Sequence, residues 1–94
     1  MSKILTREEK LVLPDWEEVY EYIHNPTNKG KTLFLCEFMN NGNIYHMTVN
    51  ELEIVIYTRS SKTGSLWKNF DYRKTNENNY NIMCEILTKI WKGE

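Results

Sequence analysis

Apolar positions in this chain follow a helical period near the N-terminus, an extended period through the middle and a helical period again at the C-terminus. Trp16, Val19, Tyr20 and Ile23 fall at i, i+3, i+4 and i+7, which places them on one face of a helix. Asp15 can cap the first turn, and Glu18 can reach back to the amide of the cap. Asp15, Glu17 and Glu18 also suit the positive end of the helix dipole. Asn25-Pro26 predicts the end of that helix, and residues 27–31 read as a loop containing Gly30. Near the C-terminus, Tyr80, Met83, Cys84, Leu87, Ile90 and Trp91 form a second apolar stripe, and polar residues 75–79 are suited to capping it.

The middle reads as strand. Residues 32–39 and 44–49 are apolar runs separated by Asn40-Asn41-Gly42-Asn43. Asn-Gly between two such runs predicts a type I′ hairpin, because that turn needs positive φ at both central residues. With Asn41-Gly42 as the loop, Met39 pairs with Ile44, Phe38 with Tyr45, Glu37 with His46 and Cys36 with Met47. Strict alternation then puts Phe34, Cys36, Phe38, Tyr45, Met47 and Val49 on one face. The other face receives Leu33, Leu35, Glu37, Met39, Ile44, His46 and Thr48. Residues 52–59 admit two readings. Thr48-Val49-Asn50-Glu51 has the form of a capping box that would open a helix. The β-branched and aromatic run Ile54-Val55-Ile56-Tyr57-Thr58 favours a strand, and strand is the reading adopted. A turn at Asn50-Glu51 would pair Val49 with Leu52 and place Leu52, Ile54 and Ile56 on the apolar face. Residues 60–65 form a turn region, and residues 66–73 are a fourth strand or an irregular segment. Residues 1–13, with Ile4, Leu5, Leu11, Val12 and Leu13, could be an arm, a short helix or a terminal strand.

These elements predict one α+β domain over residues 1–94. It is an antiparallel meander of three or four strands, with an N-terminal and a C-terminal helix packed on one face. Composition agrees: 40% hydrophobic and 13% aromatic residues suffice for one modest core. No apolar stretch approaches the ~18 residues of a membrane span, and acidic residues follow too soon after Met1 for a signal peptide. A cytoplasmic location is therefore expected. Cys36 and Cys84 both lie in apolar surroundings without Cys-x-x-Cys spacing, so they read as buried small hydrophobes in a reducing compartment. The chain has no alanine or glutamine and is rich in Asn, Lys, Ile and Tyr. That bias fits AT-rich coding DNA of low-GC bacteria, their phages and their mobile elements.

Candidate chemistry is sparse. The histidines are His24, at the end of the first helix, and His46, opposite Glu37. The Glu37–His46 couple reads first as a cross-strand ion pair and second as an acid/base pair lacking a nucleophile. The sequence has no phosphate-binding loop, dinucleotide fingerprint, nucleophile elbow or His-Glu-x-x-His motif. No catalytic residue, metal site or cofactor is expected. The charge layout is more informative. Residues 1–24 carry three basic and six acidic side chains, a net of −3, while residues 54–76 carry five basic side chains and one acidic, a net of +4. Aromatics interleave the basic stretch, and Arg59, Lys62, Trp67, Lys68, Phe70, Tyr72, Arg73 and Lys74 form the candidate binding set. Cations beside stacking rings suit an acidic protein surface or a single-stranded nucleic acid. The blander reading is a solvated loop whose rings pack inward. Apolar residues on the outer sheet face, among them Leu33, Leu35, Met39, Ile44, Val55 and Tyr57, would mark a partner site unless the N-terminal segment covers them.

The hairpin Asn40-Asn41-Gly42-Asn43-Ile44-Tyr45 and the order of elements resemble a small phage-encoded anti-CRISPR family that inhibits Cas9, over about half the chain. The resemblance implies a phage or mobile-element inhibitor. That family imitates DNA with an acidic surface, whereas residues 59–74 here are basic, so no functional residue carries over. The element order also resembles double-stranded-RNA-binding domains, but the lysine cluster opening their last helix is replaced by Asn76-Glu77-Asn78-Asn79-Tyr80. The expected function is a non-enzymatic protein-binding module, an inhibitor of the anti-CRISPR or immunity type, with a protein partner and no membrane partner. The alternative is a small nucleic-acid-binding module using residues 59–74.

Overall fold

Asp15 starts the first helix as its sequence suggests. In a computed structural model of the chain, which describes residues 11–63 and 68–93, its carboxylate accepts the Glu18 amide at 3.0 Å and opens α1, Trp16–His24. Asn25 ends the helix in extended backbone, and a 3-10 turn at Pro26–Asn28 follows. Val19 and Ile23 are the fully buried residues of α1. Tyr20, expected beside them, is half exposed and stacks on His24 at 4.0 Å between ring centroids. Tyr22 packs against the core cluster instead.

Four antiparallel strands follow in simple meander order: β1 Leu33–Asn40, β2 Asn43–Val49, β3 Glu53–Ser60 and β4 Lys68–Lys74. The β1–β2 turn has Asn41 at φ 50° and Gly42 at φ 79°, the positive pair that a type I′ turn requires. Its register is the expected one from Met39↔Ile44 to Cys36↔Met47. The strand reading of β3 also holds. Its predicted pairing is off by two: Val49 faces Ile54, not Leu52. Asn50 makes the difference. Its side-chain oxygen accepts the Leu52 and Glu53 amides at 2.8 and 2.9 Å, and this widens the turn. Leu52 is consequently 80% exposed in the loop and does not join the apolar face. A slip of two preserves side-chain parity, so Ile54 and Ile56 still reach the core.

β1 departs from alternation in a more consequential way. Phe34 pairs with Thr48 and Cys36 with Met47, so Leu35 is an extra residue in a β-bulge. Beyond the bulge the faces exchange. Leu33 and Leu35, expected on the outer face, pack against the core, while Phe34, expected in the core, turns outward and is 38% exposed. A second bulge on β4 inserts Phe70 between the Ile56↔Asp71 and Tyr57↔Asn69 pairs.

The second helix, α2, spans Glu77–Lys92. Asn76 caps it by accepting the Asn79 amide at 2.7 Å, and Gly93 closes it in the left-handed conformation at φ 80°. Tyr80, Met83 and Leu87 are its fully buried stripe. They meet Phe38, Met47, Val49, Ile54 and Ile56 from the sheet and Val19 and Ile23 from α1. The helices pack principally over β1 and β3 and touch each other. Three specific links fix this layer. Asn40 donates to the Ile90 carbonyl at 2.8 Å, Trp91 meets Phe38 edge-on at 5.2 Å, and the Tyr80 hydroxyl donates to the Pro14 carbonyl. Cys36 and Cys84 are free thiols in this interface. Burial pushes the Cys36 thiol up to about 12 and raises that of Cys84 as well. Among the described residues no helix is long and apolar enough to cross a membrane.

Core position and loop position should separate cleanly in stability. Phe38→Ala, which removes a fully buried ring, should cost about 3–5 kcal/mol in denaturant unfolding. Leu52→Ser should stay within about 0.5 kcal/mol of the parent. A large loss for Leu52→Ser would restore the narrower turn.

Candidate functional site

The β1 bulge composes the outer face of the sheet. By turning Phe34 outward it sets that ring beside His46 on β2, edge-on at 5.1 Å. Tyr57 on β3 meets the other side of the imidazole, also at 5.1 Å. Glu37 lies directly across from His46 in the ladder, as expected, with Oε2 at 3.8 Å from Nδ1. Both side chains are nearly enclosed, at 13% exposed for His46 and 10% for Glu37. Burial holds the His46 pKa below its ordinary value. The charge and hydrogen bonding of Glu37 oppose that shift, and the nearby positive charge of Arg59 adds to it. The result is an imidazole held toward its neutral form, packed between two rings and 3.8 Å from a carboxylate. The geometry fits a polar cross-link between β1 and β2 more closely than an acid/base couple open to substrate.

The outer face is less open than its sequence suggests. Ile44 and Val55 are buried, and Leu33 and Leu35 belong to the helix side. Met39, Phe34 and Tyr72 are its exposed large apolar side chains. Leu11 and Leu13 pack against the core cluster and Val12 is exposed. Ile4 and Leu5 lie outside the described residues.

The described members of the basic and aromatic set lie on and beside β4. β4 is an edge strand of the described sheet, with β3 as its neighbour. Alternation and the Phe70 bulge divide the set between two faces. Tyr72 pairs with Val55 and Lys74 with Glu53, which puts both on the outer face with Arg59. Phe70 meets Tyr45 edge-on at 5.7 Å on the helix side. Arg73, opposite Ile54, shares that side and sits 3.6 Å from the Asp71 carboxylate. Lys68 starts the strand opposite Thr58 and is exposed, and Lys62 is exposed in the turn that follows β3. Trp67 lies outside the described residues. Tyr72 is 64% and Phe70 47% exposed, so neither ring is an inward-packing core residue.

Two shallow clefts had no sequence signal. One, of about 220 Å³, opens between α1 and β1, where Glu18 and Tyr22 face Leu33 and Phe34. The other, of about 290 Å³, lies between the Lys29-Gly30-Lys31 loop and the Asn50-Glu51-Leu52 turn. Among the described residues no group of three or more His, Cys, Asp or Glu side chains is placed to hold a metal ion. No protein-family model matches the chain, and neither curated proteins nor solved structures gave a match.

The His46 environment implies a pH dependence whose sign is fixed. In the unfolded chain the imidazole titrates near 6.5, and burial lowers it in the fold. The unfolded state therefore binds more protons as pH falls through that value, and folding stability drops. Stability contributed by neutral His46 is complete above about pH 7.5 and declines below about pH 6.5. Denaturant midpoints measured at several pH values should show this decline, and His46→Gln should flatten it. An unchanged slope in the variant would mean that His46 is not the titrating group.

Proposed function

We propose that this chain is a non-enzymatic protein-binding module, an inhibitor of the kind that phages and mobile elements encode, acting in the cytoplasm by direct contact with a host or partner protein. The carrying observation is the β4 border. An edge strand of the described sheet that displays exposed Lys68, Phe70, Tyr72 and Lys74 offers cations, rings and a strand edge together. Tyr72 is a side chain of the kind that anchors interfaces, and the flanking lysines suit an acidic partner surface. The resemblance of the hairpin Asn40-Asn41-Gly42-Asn43-Ile44-Tyr45 and of the element order to the anti-CRISPR family supports the inhibitor reading, and the AT-rich coding bias fits a phage or mobile-element origin.

The nucleic-acid reading draws on the same basic residues. A single strand would stack successive bases on rings that share a surface. Phe70 and Tyr72 lie on opposite faces of β4, so they do not form one platform. A protein partner approaching the edge meets both. That difference favours the protein reading.

Affinity capture with the full chain as bait, followed by mass spectrometry, should recover one host protein in near-stoichiometric amount. A bait carrying Lys68→Glu and Tyr72→Ser, both at exposed positions, should recover it at least about tenfold less well, the change expected when about 1.4 kcal/mol of binding is lost. Recovery of no protein, together with a salt-dependent mobility shift on single- or double-stranded nucleic acid, would reverse the assignment.

A further inference from the structure

The two edges of the sheet are not equivalent. In β1 the central residues Cys36, Glu37 and Phe38 are buried, and both helices pack on that side. Along β4 no residue is buried, and Lys68, Asn69, Phe70, Tyr72 and Lys74 are all exposed. β4 therefore has the accessible edge. Every second residue of such an edge points its N–H and C=O away from β3, and among the described strands none pairs with it on that side, while the Lys74 carbonyl at the strand's end accepts from the Asn79 side-chain amide at 2.9 Å.

Lysines and a bulge on an edge strand are devices that discourage indiscriminate pairing. Their chemistry also says which strand is refused and which is accepted. Two copies of β4 laid edge to edge would bring together two strands that each carry Lys68, Arg73 and Lys74 against one acid, Asp71, and like charges in proximity repel. The acid at Asp71 is engaged by Arg73 at 3.6 Å, so it does not neutralise the lysines. An incoming strand with carboxylates on both faces would complement Lys68 on the helix side and Lys74 on the outer side. Apolar residues between those carboxylates would meet Phe70 on one face and Tyr72 on the other. Alternation in an added strand matches this division, which a flat stacking ligand does not.

We infer that β4 binds its partner by strand addition, and that the partner supplies an extended acidic segment carrying interspersed apolar residues. This rests on the protein-binding reading above and gives it a mode and a chemical class.

The test uses the full chain labelled with ¹⁵N and four short peptides. One mixes glutamate and valine, a second replaces glutamate with lysine, and two are the glutamate peptide N-methylated on alternate amides in either phase. The glutamate peptide should shift amide resonances within residues 68–74 and their β3 partners, and the lysine peptide should not. Methylation in one phase should abolish binding, while the other phase, whose methyl groups point to solvent, should leave it nearly unchanged. Lys68→Glu with Lys74→Glu should weaken the glutamate peptide about tenfold or more. Equal effects of the two methylation phases would mean contact through side chains alone and would overturn strand addition. So would shifts centred on another element, absence of binding to the glutamate peptide, or tighter binding of a single-stranded oligonucleotide at the same amides. If the Lys68→Glu, Lys74→Glu bait still captures a host protein from lysate, the mode fails while the protein-binding function stands.

Discussion

The positive-φ pair at Asn41 and Gly42 is the constraint on which the rest of the sheet depends. A two-residue turn leaves no slack, so it decides which residue of β1 stands opposite which residue of β2. That choice puts Phe38 beside Tyr45 on the helix side, with ring centroids 5.8 Å apart, and Glu37 beside His46 on the other. β3 then pairs with a strand whose faces are already assigned, and Ile54 and Ile56 complete an apolar surface beneath the helices. A one-residue change in the turn would invert β1 against β2 and bring Glu37 into the core.

Two bulges adjust this scheme where strict alternation would fail, and both lie on edge strands, where an extra residue disturbs only one ladder. At Leu35 the bulge lets Leu33, Leu35 and Cys36 all face the helices while Glu37 keeps its place across from His46. At Phe70 it carries a ring to the helix side, against Tyr45. The helical layer is tied at both ends of the meander. Asn40 reaches the last turn of α2, and Thr75, just before α2, donates to the Asn50 carbonyl at 2.7 Å in the β2–β3 turn.

What the sequence made legible were features with a local cause. Asp15 and Asn76 cap their helices, Asn41-Gly42 turns the hairpin, and the stripe from Tyr80 to Leu87 is buried. The strand at residues 53–60 could be chosen over a helix because Ile54, Val55 and Ile56 are β-branched. The bulge at Leu35 was hidden because residues 33–36 are uniformly apolar, so either phase of alternation satisfies them. The wider β2–β3 turn was hidden for a related reason: a slip of two changes no face and leaves only Leu52 to report it. Tyr20 was misplaced because an aromatic ring at the margin of a helical stripe can turn either inward or along the surface. The basic border was legible as a charge excess, but its division between two faces depends on the Phe70 bulge, which leaves no mark in composition.

The two thiols between β1 and α2 have a practical side. A protonated, enclosed cysteine is a slow nucleophile, since only the thiolate attacks. Cys36 and Cys84 are both held toward the thiol form by burial. Cys36 thus sits where electrophilic dyes reach it poorly, and the partly buried Cys84 is held toward the unreactive thiol form. A single cysteine introduced by Lys62→Cys, in the exposed turn beyond β3, would be modified far faster than either native residue. The native thiols need not be removed first, and a fluorophore or spin label would report from within about a strand's length of the β4 border while the core stays untouched.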